Sequence, residues 1–302
     1  MNNNSSLTKD TPSLTYSYFP GCSLHSTGLE YGLSTHALFR QLGISLVELS
    51  NWNCCGASSA HTLDPFLSIA LPARNLALAQ QATYDLAVPC AACFNRIKHV
   101  QHLLAHNQVV SDQLVQLVGI QKDHKTAIRH LLDILHEDFG CLRLAQLVKQ
   151  PLKGLKVAAY YGCLLVRPPN IVEFDDPDNP QIMANLLRAI GVDAVEWSDS
   201  TECCGGSLSL SRSDIVYRLV GNLVKRAQEA GALAVVTACP LCQVNLEMRQ
   251  DKKLLKNENY SQLPVFYFTE LIALALGIAE TKKWWGKHLI DPRPLLVNLG
   301  LA

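Results

Sequence analysis

One pattern of five cysteines occurs twice in the sequence. Each copy has a single cysteine, then an adjacent cysteine pair followed by glycine, and then a Cys-x-x-Cys motif. The two copies consist of the following residues: Cys22, Cys54, Cys55, Cys90 and Cys93 in the first, and Cys163, Cys203, Cys204, Cys239 and Cys242 in the second. In both copies 34 residues separate the pair from the Cys-x-x-Cys motif, whereas 31 and 39 residues separate the single cysteine from the pair. The constant spacing indicates an internal duplication in which the pair and the motif belong to one structural unit.

The chain length agrees with this duplication. A chain of 302 residues is typical of about two domains, and a hydrophobic content of 48% is enough to form a core in each. We therefore predict an N-terminal domain over residues 13–150 and a C-terminal domain over residues 151–302. A Pro/Asp-rich insertion at residues 167–180 lengthens the second copy, and it either contacts a substrate or partner or forms a solvated loop.

Strands and helices are predicted to alternate in the same order in both halves. The predicted strands cover residues 13–19, 45–49, 84–88, 156–161, 194–197, 233–237 and 264–268. The predicted helices cover residues 31–42, 66–82, 94–106, 124–136, 142–148, 182–190, 213–230 and 269–276, and the remaining C-terminal residues are predicted to be coil. This alternation indicates an α/β fold with two pseudo-symmetric tandem domains, each a parallel sheet flanked by helices.

Each cysteine group is predicted to lie where a strand gives way to a helix. Sites in parallel α/β sheets form at the carboxyl ends of the strands, so three loops of one half can converge on one cofactor. Nearby helix N-termini would also favour thiolate sulfur. The sequence therefore predicts two centres, one for each set of five cysteines.

The number of cysteines favours an extended cofactor over a single ion. Two adjacent cysteines point their thiols in different directions, which suits two irons of one cluster better than one small tetrahedral ion. Zinc takes four ligands in a closed tetrahedron, so five cysteines leave one surplus. Half of a zinc site or a thioredoxin-like pair explains one Cys-x-x-Cys motif but not the repeated set of five. Zinc remains the alternative cofactor for the first set.

The composition excludes several classes of function. The net charge is zero, which argues against a nucleic-acid partner. The N-terminus has no apolar signal region and no stretch is long enough to span a bilayer, so we predict a cytoplasmic protein with peripheral membrane contact as an option. Clustered cysteines in that compartment bind metal more often than they form disulfides. The eleventh cysteine, Cys141, is interpreted as a small core residue.

The motifs resemble those of a known family. The segment from Tyr18 to Cys22, with Cys54-Cys55-Gly56 and Cys90-Ala91-Ala92-Cys93, is similar to one cysteine-rich CCG domain. The segment from Tyr160 to Pro169, with Cys203-Cys204-Gly205 and Cys239-Pro240-Leu241-Cys242, is similar to a second. Over residues 13–276 the chain resembles the B subunit of CoB–CoM heterodisulfide reductase and its relatives, including type-E subunits of unusual succinate dehydrogenases.

The resemblance implies an oxidoreductase subunit that is active within a complex. Each CCG domain would bind one noncubane 4Fe-4S cluster through its five cysteines, and a disulfide substrate would be cleaved between the two clusters. Flavin-containing and ferredoxin-like iron–sulfur subunits would supply the electrons, since the chain has no nucleotide-binding motif of its own. Relatives deliver electrons to quinone in succinate dehydrogenases or accompany hydroxy-acid oxidases, and in some relatives one site holds zinc. The first Cys-x-x-Cys motif lacks the proline of the second, which permits different redox tuning.

Overall fold

The computed structural model describes residues 14–57, 60–251 and 260–301. Within these ranges the chain forms two four-stranded parallel sheets flanked by helices, which confirms the predicted α/β class. The strands of the first sheet are β1 (Thr15–Tyr18), β2 (Ser45–Glu48), β3 (Leu86–Val88) and β4 (Ile128–His130). The strands of the second are β5 (Lys156–Tyr160), β6 (Asp193–Val195), β7 (Ala234–Thr237) and β8 (Val265–Tyr267).

Both sheets have the same topology. The strand orders are β2-β1-β3-β4 and β6-β5-β7-β8, and all neighbouring strands are parallel. The central strands β3 and β7 are short, apolar and fully buried, as expected for parallel strands covered on both faces. Val88 pairs with His130 in the first sheet and Thr237 pairs with Tyr267 in the second. His130 and Tyr267 therefore occupy equivalent positions at the carboxyl ends of their strands.

The longer helices cover the two sheets. They are α1 (Leu29–Gln41), α2 (Leu67–Gln80), α3 (Ala91–His106), α4 (Gln108–Val118), α5 (Ile182–Ala189), α6 (Ser213–Glu229), α7 (Pro240–Met248) and α8 (Phe268–Ala275). Shorter helical segments are Cys22–His25, Ala60–Leu63, Leu131–Asp133, Ile134–Gly140, Cys141–Leu147, Cys163–Val166, Pro169–Val172, Gly206–Leu208, Thr281–Trp284, Trp285–Lys287 and Arg293–Asn298. Across the described ranges, no helix combines the length and the apolar character needed to cross a bilayer.

Two parts of the predicted secondary structure are wrong. The sequence predicts one helix over residues 124–136, but β4 lies inside this segment and a helix begins directly after it at Leu131. Three residues are too few to display strand alternation, and the apolar helical residues that follow hide them. The sequence also predicts coil after α8, but this segment contains the short helices that begin at Thr281, Trp285 and Arg293.

The two halves pack on each other through one continuous hydrophobic core. The ring of Tyr31 in α1 stacks on that of Tyr267 at a centroid distance of 4.2 Å, and the hydroxyls of Ser34 and Thr269 lie 2.6 Å apart. Because the core is shared, the predicted domain limits at residues 13–150 and 151–302 stay a prediction. Residues 13 and 302 lie outside the described residues.

The insertion at residues 167–180 joins the halves. The ring of Phe174 packs edge-on against Phe94 and His130 of the first half. The Asn95 side chain in α3 donates to the carbonyl oxygens of Leu164 and Arg167, at 2.9 and 2.8 Å. This loop therefore contacts the N-terminal half, a role that the sequence does not indicate.

A buried group of ionisable side chains lies where α1 meets the C-terminal half. The ring nitrogens of His288 lie 3.0 Å from Glu247 Oε1 and 3.0 Å from Glu270 Oε1. Burial opposes a charged imidazole, but these two carboxylates raise the pKa of His288 to about 11, so it donates to both as a cation. Glu30 faces this group, and burial together with the charge of Glu270 raises its pKa from 4.5 to about 7.

We expect the Glu30→Gln substitution to stabilise the protein at pH 8 but not at pH 4. The folded state binds a proton at Glu30 more tightly than the unfolded state, so the contribution of Glu30 to stability is present below pH 4.5 and is lost as the pH rises to about 7. The loss in the free energy of unfolding is roughly 2 kcal/mol. Denaturant unfolding across this pH range measures it, with exposed Glu280→Gln as the control. A Glu30→Gln profile parallel to that of the wild type would contradict the assignment.

Candidate metal centre

A glycine in the left-handed region precedes the single cysteine of each set. Gly21 (φ +73°) follows β1 and Gly162 (φ +67°) follows β5, and only glycine adopts such angles without strain. A Cβ atom on Gly21 would lie 3.0 Å from Cys93 Sγ, and one on Gly162 would lie 3.3 Å from Cys242 Sγ. The missing side chains therefore let the backbone before Cys22 and Cys163 approach the Cys-x-x-Cys motif of its own set.

Each cysteine pair lies in a loop whose backbone amides point at sulfur. The amide nitrogen of Gly56 donates to Cys54 Sγ at 3.4 Å, and that of Gly205 donates to Cys203 Sγ at 3.3 Å. Hydrogen bonds of this kind stabilise a thiolate rather than a thiol. The glycine after each pair supplies one of these donors.

Both Cys-x-x-Cys motifs begin a helix. Cys90 is the N-cap residue of α3 and Cys239 is the N-cap residue of α7, so both thiols lie at the positive end of a helix dipole. Proline at the first helical position is favourable in α7, and alanine at the same position in α3 also starts the helix. The missing proline of the first motif therefore leaves the local backbone unchanged.

The thiols of the first set form a connected group. Cys22 Sγ and Cys54 Sγ lie 3.8 Å apart, and Cys55 Sγ and Cys93 Sγ lie 3.1 Å apart. Cys93 is also hydrogen-bonded to Cys90. Cys22 and Cys54 are exposed, whereas the other three are buried, so the group extends from the surface into the core.

The second set repeats this arrangement. Cys163 is hydrogen-bonded to Cys203, Cys204 Sγ and Cys242 Sγ lie 3.6 Å apart, and Cys242 is hydrogen-bonded to Cys239. A cavity of about 60 Å³ opens among these five cysteines. Cys203 is exposed and Cys239 is buried, so this set also runs from the surface inwards.

The two sets meet at their buried ends. Cys90 and Cys239 are hydrogen-bonded to each other, and Cys90 is the donor because its thiol pKa is raised by this contact while that of Cys239 is lowered. These two residues occupy equivalent positions in the two repeats. All ten predicted site cysteines therefore form one continuous series of thiols that crosses the interface between the halves.

Several of these cysteines are stabilised as thiolates. A hydrogen bond from Cys163, opposed by burial and aided by the Gly205 amide, lowers the pKa of Cys203 to about 6. Hydrogen bonds from Cys54 and Cys93 lower the pKa of Cys55 well below its usual value, and the charge of Arg96 contributes. The thiolate is the form of cysteine that binds metal, so the site is prepared for it.

The donor set fits an iron–sulfur cofactor better than a single ion. Among the residues that the structure describes, no three His, Cys, Asp or Glu side chains surround one point in the geometry of a metal ion. Each set instead presents five sulfur donors in an extended row, and thiolates are the usual ligands of iron–sulfur clusters. A closed zinc site would leave one thiolate of each row without a metal.

Sequence reasoning missed four polar side chains beside the cysteines. The amide nitrogen of Asn245 donates to the carbonyl oxygen of Cys204. Tyr31 and His130 both donate to the carbonyl oxygen of Pro89, each at 2.9 Å. The fourth is Arg96, whose positive charge acts on Cys55. Arg96 and Asn245 could have been found from their position, because each lies three residues after the last cysteine of its motif and so on the same helix face.

Comparisons with known proteins agree with the duplicated architecture. The model of the CCG family, described as a cysteine-rich domain, matches the chain twice, at residues 16–98 and 157–247. The chain belongs to the CCG cysteine-rich domain family. Both matches contain the complete set of five cysteines of their half, which confirms the resemblance expected from the motifs.

Several named relatives align along nearly the whole chain. The membrane anchor subunit of the 8-methylmenaquinol:fumarate reductase of Wolinella succinogenes is 30% identical over 93% of this chain and 98% of its own length. A heterodisulfide reductase B-subunit-like protein of Archaeoglobus profundus is 27% identical over 88% of this chain and 92% of its own. The B subunit of the ferredoxin:CoB-CoM heterodisulfide reductase of Methanosarcina mazei is 25% identical over 87% and 89%.

A solved structure supports the fold. A hypothetical protein from Helicobacter pylori superposes with a TM-score of 0.69 and 14% sequence identity over 92% of this chain. The matched region is 52% of the length of that protein. At this identity the similarity concerns the fold alone.

We expect Gly21→Ala to lower the metal content of the first set, whereas Gly43→Ala does not. Both glycines have φ +73°, so both substitutions introduce a similar backbone strain of about 1–2 kcal/mol. Only the Cβ at position 21 meets a cysteine sulfur, while nothing lies within 4 Å of the one at position 43. Metal analysis and thermal unfolding of both variants separate the two effects. Equal metal loss in both variants would contradict the role of the close approach.

Proposed function

We propose that the chain is an iron–sulfur electron-transfer subunit of an oxidoreductase complex. The observation that carries this proposal is the series of ten thiols, arranged as two rows of five that meet at Cys90 and Cys239. The named relatives support it, because they are subunits of heterodisulfide and fumarate reductases. A glycolate oxidase iron–sulfur subunit of Escherichia coli is also similar, with 23% identity over 75% of this chain.

Each row would hold one noncubane 4Fe-4S cluster through its five cysteines. Cys22, Cys54, Cys55, Cys90 and Cys93 would bind the first, and Cys163, Cys203, Cys204, Cys239 and Cys242 would bind the second. When bound, such clusters accept and release single electrons. The backbone amides, the helix N-termini and the thiol–thiol hydrogen bonds keep several of these sulfurs as thiolates, and the shared core holds the two rows in contact.

The exposed end of each row is the side on which electrons would enter or leave. Cys22 and Cys54 in the first row and Cys203 in the second are exposed, whereas Cys90 and Cys239 are buried at the interface. A flavin-containing and a ferredoxin-like iron–sulfur partner subunit would supply electrons here, since the chain has no nucleotide-binding motif. The leading acceptor is a disulfide, reduced by two electrons and two protons to two thiols.

A quinone is the second candidate acceptor. The Wolinella relative, whose name refers to a menaquinol:fumarate reductase and to a membrane anchor, aligns with this chain over 98% of its own length. In this role the protein would belong to a succinate dehydrogenase-like or hydroxy-acid oxidase complex and would contact the membrane peripherally. Isolation of the native complex distinguishes the two acceptors through the flavoprotein that accompanies the chain.

We expect the anaerobically purified protein to contain about eight irons and a similar amount of acid-labile sulfide per chain. Visible absorbance should be bleached by dithionite. Cys22→Ser and Cys163→Ser should each remove roughly half of the iron, because each deletes one ligand of one cluster. Cys141→Ser is the matched control and should remove none, since it lies outside both sets.

Zinc analysis provides the contradicting result. If the protein contained only stoichiometric zinc and no sulfide, the iron–sulfur proposal would be wrong, and a zinc-stabilised scaffold would replace it. One zinc and about four irons would assign zinc to one set, and the Cys22→Ser variant would show which set it is.

A further inference from the structure

The two repeats differ in charge at one position beside the cysteines. The third residue after the last cysteine of each Cys-x-x-Cys motif is Arg96 in α3 and Asn245 in α7. The next residues, Ile97 and Leu246, are both buried in the core, so the two helices have the same rotation relative to their sheets. Arg96 and Asn245 therefore face the cysteine pair of their own half from equivalent places.

Asn245 is fully engaged in holding its loop. Its amide nitrogen donates to the carbonyl oxygen of Cys204, and its amide oxygen accepts from the Ser209 hydroxyl at 2.5 Å. The residue is buried and carries no charge. It fixes the second cysteine pair without changing the electrostatic potential of the second centre by a full charge.

Arg96 has the opposite character. Its Nε–H is buried and has no hydrogen-bond partner among the residues that the structure describes. No carboxylate of the described residues forms an ion pair with it, and its positive charge acts on Cys55. An unpaired buried donor on a charged group costs free energy, so an acceptor is expected at this place. The nearby acceptors of suitable charge are the sulfurs of the first set.

We propose that Arg96 is the charge partner of the first centre and raises its reduction potential above that of the second centre. This inference rests on the proposed function, in which each set holds an iron–sulfur cluster. Reduction adds one negative charge to a cluster, and a fixed cation in a medium of low dielectric constant stabilises the reduced state. A guanidinium N–H also forms a stronger hydrogen bond with a thiolate or sulfide than a neutral amide does.

The consequence is a direction for electron flow. One electron from the flavin-containing partner that reduces the second centre would pass to the first, which oxidises the second centre and reduces the first. No bond is formed or broken and no proton moves in this step. The thiol contact between Cys90 and Cys239 lies between the two centres and offers this electron a direct route.

Spectroelectrochemical titration of the anaerobic protein tests the proposal. Two reduction waves are expected, and the wave that is missing in Cys22→Ser belongs to the first centre. In Arg96→Gln this wave should move to lower potential, so that the reduced-to-oxidised ratio at the wild-type midpoint falls about tenfold, which equals about 59 mV for a one-electron couple. The second wave should not move. Arg218→Gln, exposed on α6, is the control and should leave both waves unchanged.

Arg96→Lys separates charge from packing. It keeps the cation, so the first wave should stay within about threefold of the wild-type ratio if charge is the cause. If Arg96→Gln and Arg96→Lys shift the first wave equally, or if both lose the first centre, Arg96 is structural and the proposal is wrong. Unchanged waves in Arg96→Gln with full iron content would also overturn it while leaving the proposed function intact. Absence of iron and sulfide from the wild type would instead overturn the proposed function.

Discussion

The hydrogen bond between the thiols of Cys90 and Cys239 joins the two halves at the centre of the molecule. Each of these residues caps a helix that follows a buried central strand, so the contact brings together the most rigid part of each half. The Pro89 carbonyl next to it accepts hydrogen bonds from Tyr31 and His130, which fix the backbone before Cys90. The other cysteines extend from this point towards the surface in both directions. The geometry of the whole site therefore depends on how closely the two halves pack.

The repeats are alike in backbone and different in detail. Strand order, the left-handed glycines and the helix starts are the same in both halves. The differences lie in side chains and loops: Arg96 in place of Asn245, and an insertion whose Phe174 packs on the first half. Duplication thus supplies two similar centres, and single substitutions on the same scaffold can make them unequal. Such inequality is useful for a protein that passes electrons in one direction.

Cysteine spacing was sufficient to predict the site, because ten thiols at strand ends can converge in few ways. The α/β class followed for the same reason, from strands and helices that alternate in the same order twice. The strand β4 could not be predicted, since three residues carry no periodicity and the next helix begins at once. Glu30 and Arg96 resemble solvated helix residues in the sequence, and only the packing of the two halves shows that one is buried and the other has a buried nitrogen without a partner in the described part of the chain.

Anomalous diffraction at the iron absorption edge, from crystals grown without oxygen, tests most directly whether two sulfur-bridged iron assemblies lie side by side. The account predicts two separate groups of iron positions, one enclosed by the five cysteines of each half, with Cys90 and Cys239 as ligands of different groups. One isolated metal atom in each half, or a disulfide between Cys90 and Cys239 with no iron nearby, would contradict it.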